Sequence, residues 1–387
     1  MKILFAHAAP MPKEPMDWSN DTVNAWIERM RDAGFNVDPF LLCFNNNFLS
    51  PSVYFNELDS LWKRKDPQLL EMYKKLYKKL KDYDVLVCRE GVNIHPDFAK
   101  NLPCITVYGC FDDPESTEIL SKPIAPSFDI SMVGNIAELE TYKSWGIKNV
   151  HWWPISLRDN DFNPYLKKEE LFNIKRDIDV SILCECIRPE RQKRLKKFAN
   201  TFPNGSYHGR GWPDGYLSED ERIPLLLNTK IGLNIHNSTG PVNLRTFYLP
   251  ANGVMQICDN KANLGKIYKL GQEVVGYDSI EEAIDLTRYY LENEEERLII
   301  AKAGWERATN DYNEIKSFQR VINAVNQYIE NSKDTNMRYS SAAWQYKEPT
   351  YLERVRNFYI TTMFNSLKMI KVTLSPIKRF VEKIIFR

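Results

Sequence analysis

The segment from residue 231 to residue 253, IGLNIHNSTGPVNLRTFYLPANG, holds the pattern that most clearly predicts binding chemistry. An apolar strand runs into a polar turn, and Pro241 then opens a helix that carries Arg245 on its first turn. The first N–H groups of a helix lack partners within it and together carry about half a positive charge. Such a helix start suits a phosphate, and arginine can add a two-pronged contact. The segment therefore predicts an anion site, although an ordinary turn and helix cap would use the same residues.

Other polar side chains follow predicted strands. Arg188 and Arg191 come after the first strand of the same half and form a second basic corner. In the first half, His7, Asp112 and Asp113 follow strands and could each face a cleft as a general base. The alternatives remain open, because Asp113 precedes Pro114 and could serve a turn, and His7 could be structural.

Several common enzyme motifs are missing from the chain. The loop after the first strand, AHAAPMP, has no glycine, which disfavours a simple dinucleotide oxidoreductase. The sequence contains neither the P-loop pattern G-x-x-x-x-G-K-[ST] nor the nucleophile elbow G-x-S-x-G. The C-x-C pair Cys184 and Cys186 has no second pair of ligands nearby, so no metal or other cofactor is expected.

The composition narrows the functional class further. The 387 residues are 43% hydrophobic and 27% charged, as in an ordinary soluble globular protein. Lys and Arg number 52 against 51 Asp and Glu, a net charge of +1, which argues against a nucleic-acid partner. The seven cysteines lie mostly in apolar runs, typical of reduced thiols in a cytoplasmic protein. The start MKILFAHAAP is interpreted as a first strand rather than a signal peptide.

The elements that must position these residues alternate along the chain. Almost wholly apolar strands alternate with helices, which predicts α/β units with parallel sheets covered on both faces. The pattern restarts after a polar break at 159–164, so we expect two Rossmann-like doubly wound domains, 1–157 and 158–330. Ligands bind outside the carboxyl ends of such strands, and the default site is the cleft between the domains.

The last part of the chain differs from the two domains. Residues 331–350 are polar and aperiodic and are interpreted as a linker. Residues 351–387 have apolar side chains at helical spacing, with eight basic and two acidic residues, a net charge of +6. A basic amphipathic helix can lie on an anionic membrane surface. The sequence therefore predicts a peripheral position at the inner face of a membrane; the alternative is that this tail packs back on the first domain.

The second half resembles the GT-B glycosyltransferases, specifically the group-1, spore-maturation (CgeB-like) branch. The resemblance rests on DVSILCECIRPERQKRLKKF, YHGRGW, the segment ending NLRTFYLPANGVMQICDN, and GQEVVGYDSIEEAIDLTRYYLENEEERLIIAKAGWERA. The first half matches more loosely, through FDDP, WWPIS and DFNP. The resemblance implies a GT-B fold with a nucleotide-sugar donor on the second domain and an acceptor on the first.

The resemblance also assigns roles to the candidate residues. His7, Asp112 and Asp113 become candidates for the catalytic base, and Trp212 could stack on a base or sugar or simply pack. The implied donor-binding residues are Arg188, Arg191, His208, Arg210, Asn237, Gly240, Asn243, Arg245 and Tyr248. The family usually has an acid at the position of Tyr248, where it can bind the donor's ribose. Here the tyrosine hydroxyl substitutes for it, the donor sits differently, or activity is lost.

The expected function is metal-independent transfer of a sugar from a nucleotide-sugar donor to a glycan or lipid-linked acceptor. With the basic tail, this suits bacterial surface polysaccharide synthesis in the cytoplasm at the membrane. Two alternatives stay open: a catalytically silent relative that binds glycans or nucleotides, and a nucleotide-sugar epimerase of the same architecture.

Overall fold

The structure, a computed structural model, describes residues 1–8, 20–42, 54–91, 93–332, 350–353 and 355. Two parallel sheets organise these residues, each with helices on both faces. The expectation of two Rossmann-like α/β units with parallel sheets is confirmed.

The first sheet has six parallel strands in the order β2-β1-β3-β4-β5-β6. The strands ILFAH and ISMV are wholly buried and apolar except for one histidine or serine, and VLVCR is buried up to its final arginine, which is typical of a sheet covered on both faces. Because the chain moves from β1 to β2 on one side and then to β3 on the other, the order reverses between β1 and β3. The strands are β1 (Ile3–His7), β2 (Val37–Leu41), β3 (Val85–Arg89), β4 (Ile105–Cys110), β5 (Ile130–Val133) and β6 (Val150–Trp152).

Six helices accompany this sheet. The third helix has the best-defined N-terminus. There the Asp66 side chain accepts hydrogen bonds from the backbone N–H groups of Gln68 and Leu69, and Pro67 occupies the first turn. The helices are α1 (Asn20–Asp32), α2 (Tyr54–Lys63), α3 (Pro67–Leu80), α4 (Pro96–Ala99), α5 (Lys122–Ile124) and α6 (Leu139–Ser144).

The second sheet has five parallel strands in the order β11-β10-β9-β7-β8. Its order reverses between β7 and β9, so this sheet also has a switch point. The strands are β7 (Ile178–Leu183), β8 (Ser206–His208), β9 (Thr229–Asn234), β10 (Met255–Cys258) and β11 (Val275–Gly276). The helices are α7 (Lys168–Asn173), α8 (Pro189–Thr201), α9 (Glu219–Leu227), α10 (Arg245–Ala251), α11 (Lys261–Leu264), α12 (Ile280–Glu292) and α13 (Glu294–Asp311).

The last long helix, α14 (Glu314–Ser332), returns to the first sheet. Its apolar face, including Phe318 and Val321, packs with Trp26 of α1 against the inner side chains of β1 and β3. The Arg29 guanidinium forms a two-pronged ion pair with the buried Glu314 carboxylate at the start of α14. The sequence-based division at 330 assigned this helix to the second domain, and the structure packs it on the first.

The tail prediction lies almost entirely outside the described residues. Of the segment 351–387 only 351–353 and 355 are described, and they are helical. Within them Glu353 forms an ion pair with Lys65, which follows α2. Among the described residues no helix is long and apolar enough to cross a membrane.

Candidate active site

The two sheets direct the carboxyl ends of their strands at one cleft of about 970 Å³. Its first wall includes His7 at the end of β1 and Arg89 and Glu90 at the end of β3, the switch point of that sheet. Its second wall includes the loop from His236 to Arg245, which follows β9. Crevices of this kind, at topological switch points, are where α/β sheets bind ligands. The other lining residues are Ala8, Val23, Phe111, Asp112, Glu115, Ser116, Ile119, Ile155, Arg188, Arg222 and Tyr248.

Arg245 spans the switch point of the second sheet. Its Nη1 donates to the carbonyl oxygen of Leu183 at the end of β7 (3.1 Å), and its Nη2 donates to that of Ile235 after β9 (3.3 Å). Its Nε donates to the Asn234 side chain at 3.0 Å. The guanidinium lines the cleft, as expected for a residue that binds a phosphate. It also connects β7 to β9 through hydrogen bonds, a structural role that the sequence did not predict.

Arg191 is buried beside this point. Its Nη1 donates to the Asn237 side-chain oxygen at 3.0 Å, whereas its Nε and Nη2 have no partner among the described residues. Burial lowers the pKa of Arg191 and the nearby Arg245 charge lowers it further, although Cys184 and Asp259 act in the opposite direction. A buried guanidinium with unsatisfied donors is costly unless an anion completes it. Arg191 itself does not line the cleft, whereas Arg188, at the start of α8, does and adds an exposed positive charge to the second wall.

The start of α10 differs from the sequence-based expectation. The Asn243 side-chain oxygen accepts from the backbone N–H of Thr246 at 3.1 Å, and thus caps the helix itself. Asn243 also exchanges hydrogen bonds with Asn234. The helix begins at Arg245 rather than near 242, and Asn243 occupies one of its free donors. Asn243 and Asn237 nevertheless line the cleft, as predicted for binding residues.

Gly240 is a contact between the two units and does not line the cleft. A Cβ added there would lie 2.2 Å from the Asn135 side-chain oxygen and 2.9 Å from the Ala137 Cβ. Next to it, Asn135 Nδ2 donates to the Thr239 hydroxyl at 3.2 Å, and that hydroxyl donates to Glu138 at 2.6 Å. The structure thus gives Gly240 a packing role in place of the predicted contact with the donor, since only a residue without a side chain lets the units approach here.

Tyr248 lines the cleft from α10 and is almost fully buried. The Arg222 guanidinium lies over its ring, 5.6 Å from the centroid. Arg222 in turn donates to the Asn160 carbonyl and to the buried Asp161 carboxylate, at 2.8 and 3.1 Å. Burial raises the pKa of Tyr248 to about 12, so its hydroxyl is a neutral hydrogen-bonding group.

His208 and Arg210 follow a predicted strand, which suggested that they would face the cleft, but the structure places them elsewhere. They follow β8, the edge strand of the second sheet, and neither lines the cleft. His208 Nε2 bonds the Ser206 hydroxyl at 2.9 Å, and Arg210 is exposed. Trp212 is buried, stacks on Tyr207 and donates to the Cys184 carbonyl at 2.8 Å. This geometry does not support the donor-binding predictions for His208 and Arg210. Trp212 packs in the core, which is the alternative to stacking on a base or sugar.

The Asp113 carboxylate is buried and accepts hydrogen bonds from three side chains. It accepts from Tyr142 at 2.5 Å and from Ser116 and Thr117 at 3.1 Å each, and Asp113 is 1% exposed. Its oxygens are thus committed to the loop that follows β4. The predicted catalytic role of Asp113 gives way to its structural alternative.

His7 and Asp112 do line the cleft. His7 is 3% exposed, and its Nδ1 has no hydrogen-bond partner among the described residues. Burial, with a smaller contribution from the Arg89 charge, lowers the pKa of His7 to about 4, so the ring is neutral near pH 7. Desolvation in the cleft raises the pKa of Asp112 and Asp113 adds to this, whereas Arg89 opposes it.

Glu90 and Arg222 are among the cleft residues that fell outside the predicted site set. Glu90 follows β3 directly, and this position marks it as a residue that could face the cleft. Nothing else in the sequence distinguishes it from its neighbours. Arg222 lies on α9, away from any strand end, and only the fold brings it to the cleft.

One group of possible metal ligands adjoins the cleft. The ligand atoms of His236, Cys258 and Asp259 lie within 4.8 Å of one another. His236 Nδ1 bonds Asp259 at 2.6 Å, and its Nε2 bonds the Thr246 hydroxyl at 3.2 Å. Since both ring nitrogens form hydrogen bonds within the protein, the histidine links the segments that follow β9 and β10 to α10.

Comparisons with known proteins agree with this geometry. Residues 188–323 match the family described as Glycosyl transferase-like. Sucrose-phosphate synthase from Thermosynechococcus elongatus superimposes with a TM-score of 0.59 at 12% identity, covering 86% of this chain and 100% of that one. A lipopolysaccharide outer core galactosyltransferase, WaaB, gives 0.56 at 14%, covering 84% and 99%. HepE from Anabaena, in complex with UDP, gives 0.53 at 11%, covering 84% and 100%.

No curated protein sequence matches the chain. At identities this low the structural likeness shows the fold, which is GT-B. Residues 188–323 thus match a glycosyl transferase-like family within a chain whose fold is GT-B. The narrower spore-maturation branch stays a prediction.

Proposed function

We propose that the protein transfers a sugar from a nucleoside-diphosphate sugar to an acceptor hydroxyl in the cleft. One observation carries the proposal: the buried Arg191 guanidinium keeps unsatisfied donors beside the positive charge of Arg245. A diphosphate would satisfy both the hydrogen bonds and the charge. The HepE structures in complex with UDP and with UDP-glucose support a donor of this class.

The chemistry needs stabilisation of the departing diphosphate. Preorganised arginines supply it without a metal ion, since they are already aimed at the place where negative charge develops. Arg188 and Arg245, which line the cleft, fill this role in the proposal, and the buried Arg191 adds its charge beside Arg245. Asn237 fixes Arg191, and the Tyr248 hydroxyl, which by the resemblance replaces an acid, would bind the ribose from the cleft wall.

The first wall would hold the acceptor. Its apolar side chains, Val23, Phe111 and Ile119, adjoin the polar groups of His7, Glu90 and Asp112. A wall with both characters suits a sugar ring or the head of a lipid-linked glycan. The galactosyltransferase among the structural neighbours is named for lipopolysaccharide, which supports a surface-glycan role in bacteria.

We also propose that the basic segment 351–387 attaches the enzyme to an anionic membrane from the cytoplasmic side. Its charge of +6 and helical apolar spacing are the supporting features. An enzyme that extends a lipid-linked glycan would gain from holding its cleft near that surface.

A thermal-shift screen of UDP, GDP, ADP and dTDP tests the proposed donor site. We expect at least one diphosphate to raise the melting temperature, because a ligand that binds only the folded state stabilises it. No stabilisation by any of the four would favour the catalytically silent alternative. Conversion of the donor to a stereoisomer without any acceptor would favour the epimerase.

A further inference from the structure

The outer side of α3 carries a run of lysines. From 72 to 81 the sequence reads MYKKLYKKLK, with five lysines and no acidic residue. The helix buries Leu69, Tyr73 and Leu76 against the first sheet. Side chains three, four and seven residues apart lie on one side of a helix. The exposed lysines, here called the lysine face, are Lys74, Lys75, Lys78 and Lys81.

Neither ion pairing nor helix stability accounts for the lysine face. Lys75, Lys78 and Lys81 form no ion pair with any of the described residues. Lys79 differs, because it points away and donates to the Pro39 carbonyl oxygen at 3.3 Å. Like charges four residues apart weaken a helix, and the helix dipole favours positive charge only within the last turn. The face therefore needs another explanation.

The positive charge of the chain is concentrated in two segments. Residues 61–81, from the last turn of α2 to the end of α3, hold eight basic and two acidic residues, a net charge of +6. The segment 351–387 carries the same net charge. Because the whole chain has a net charge of +1, all other residues together carry −11. Such segregation gives the protein one strongly basic region on an otherwise acidic body.

The lysine face adjoins the point where the tail begins. Glu353 accepts from the Thr350 backbone N–H at 2.8 Å, and the Thr350 hydroxyl accepts from the Glu353 N–H at 3.3 Å, which is a capping box. The Glu353 carboxylate also pairs with Lys65, between α2 and α3. Beside it Tyr351 and Leu352 are 78% and 79% exposed. The fourteen residues of α3 extend about 20 Å onward from this ion pair.

We propose that the lysine face binds the anionic surface of a lipid bilayer, an inference that deepens the proposed membrane attachment and rests on it. The lysine ammonium is a compact, hydrated point charge, which suits a diffuse layer of lipid phosphates. Tyr351 and Leu352 supply exposed apolar groups that enter the interface next to these charges. The basic tail cannot cover the face itself, because like charges repel.

Binding through this face brings the first wall of the cleft toward the bilayer. On the buried side of α3, the Tyr73 hydroxyl donates to the Asn93 carbonyl at 2.9 Å and accepts from the His95 N–H at 2.7 Å. Both residues belong to the loop that follows Arg89 and Glu90, which line the cleft. One helix thus connects the lysine face to the wall proposed to hold a lipid-linked acceptor.

Sedimentation of the full chain with vesicles tests the proposal. The combined variant Lys75→Gln, Lys78→Gln and Lys81→Gln removes three charges, and glutamine has nearly the helix propensity of lysine. We expect its affinity for vesicles of phosphatidylglycerol and phosphatidylcholine to fall at least about tenfold, because each basic residue near the surface adds to binding. Arginine at the same three positions keeps the charge and should bind as wild type does.

Helix α8 of the second unit provides the matched control. The combined variant Lys193→Gln, Arg194→Gln and Lys196→Gln removes three charges from exposed positions of that helix. Charges farther from the membrane than about 10 Å are largely screened by salt, so this variant should bind the anionic vesicles within about threefold of wild type. Unchanged melting temperatures in all variants show that binding has changed and folding has not.

The outcomes separate this inference from the proposed attachment. Equal binding by wild type and the α3 glutamine variant, or equal losses in the α3 and α8 variants, would overturn the lysine face and leave attachment through the tail. Loss of binding in the arginine variant would assign the effect to packing and also overturn it. So would lysine-dependent binding of duplex RNA or polyglutamate without lysine-dependent binding of vesicles. If wild type does not sediment with anionic vesicles, the proposed attachment itself fails.

Discussion

Asn135 in the first unit donates a hydrogen bond to the Thr239 hydroxyl in the second, with the two atoms 3.2 Å apart. The same asparagine bonds the Asp113 carbonyl at 3.2 Å, and its side-chain oxygen accepts from the Ala137 N–H. One buried side chain therefore joins the loop after β4, the loop after β5 and the binding loop of the opposite unit. The spacing of the two walls of the cleft is fixed at this point.

Gly240→Ala is expected to disturb that spacing. The added methyl would lie 2.2 Å from the Asn135 side-chain oxygen, closer than real contacts allow, so the loop or the whole unit must shift. We expect kcat/KM to fall at least about tenfold, because small misplacements of reacting groups are costly. The control is Gly265→Ala, where the nearest atom lies at 3.5 Å and φ is −63°. Equal donor turnover by the two variants would contradict the role of this contact.

Asp113→Asn should affect stability and spare catalysis. The change removes the negative charge that accepts hydrogen bonds from Tyr142, Ser116 and Thr117 in a buried site. We expect a loss of about 1–3 kcal/mol in the free energy of unfolding, measured with urea. At a temperature where the variant is fully folded, kcat should remain within about threefold of wild type. A large loss of kcat in a stable protein would restore Asp113 as a catalytic candidate.

The raised pKa of Glu90 makes stability depend on pH. In the folded protein the group keeps its proton up to about pH 7, whereas in the unfolded chain it loses it near the ordinary value of 4.5. Between these values the folded state binds more protons, so its stability falls as pH rises. Glu90→Gln lacks this penalty.

Urea unfolding at pH 5 and pH 8 measures the effect. The stability of Glu90→Gln relative to wild type should rise from pH 5 to pH 8, by on the order of 2–3 kcal/mol. In Glu118→Gln the difference from wild type should be nearly the same at both pH values, since that carboxylate is exposed. A constant difference for Glu90→Gln would mean that its carboxyl titrates normally in the folded protein.

The basic tail is tested in the full chain by reversing three charges, Lys378→Glu, Arg379→Glu and Lys383→Glu. Each basic residue near an anionic surface contributes about 1 kcal/mol to binding, so the combined variant should sediment far less with vesicles containing phosphatidylglycerol. Neutral vesicles provide the control, because they lack the charge that attracts the tail. If wild type and variant sediment equally with the anionic vesicles, the membrane proposal fails.

Much of the fold could be predicted from local pattern. Apolar strands such as DVLVC and helices such as QLLEMYKKLYKKLKDY indicate the two parallel sheets, and the polar break near 159 indicates their separation. The return of α14 to the first sheet could not be predicted. The spacing of Phe318, Val321 and Val325 shows that one face is buried, but not which of two cores buries it.

The site was harder to predict because its chemistry depends on tertiary neighbours. Arg245 lines the cleft, where the sequence placed it, yet its bonds to the carbonyl ends of β7 and β9 follow only from strand order. His208 and Arg210 do not line the cleft because β8 lies at a sheet edge, away from the switch point. The pKa of Glu90 depends on burial beside Asp112, which no spacing in the sequence records.

Arg191→Met tests the central claim most directly, because it removes the buried charge while keeping most of the side-chain volume. The unliganded variant should be as stable as wild type or more so, since a buried charge without full partners is costly. Arg194→Met, an exposed position on the same helix, is the matched control.

The decisive measurement is the calorimetric affinity of wild type and the two variants for the diphosphate that gives the largest thermal shift. A charged hydrogen bond contributes about 1.5–3 kcal/mol, so Arg191→Met should weaken binding by about 10- to 100-fold while Arg194→Met leaves it unchanged. If Arg191→Met binds the diphosphate as tightly as wild type does, the donor phosphates are not held at the switch point between β7 and β9.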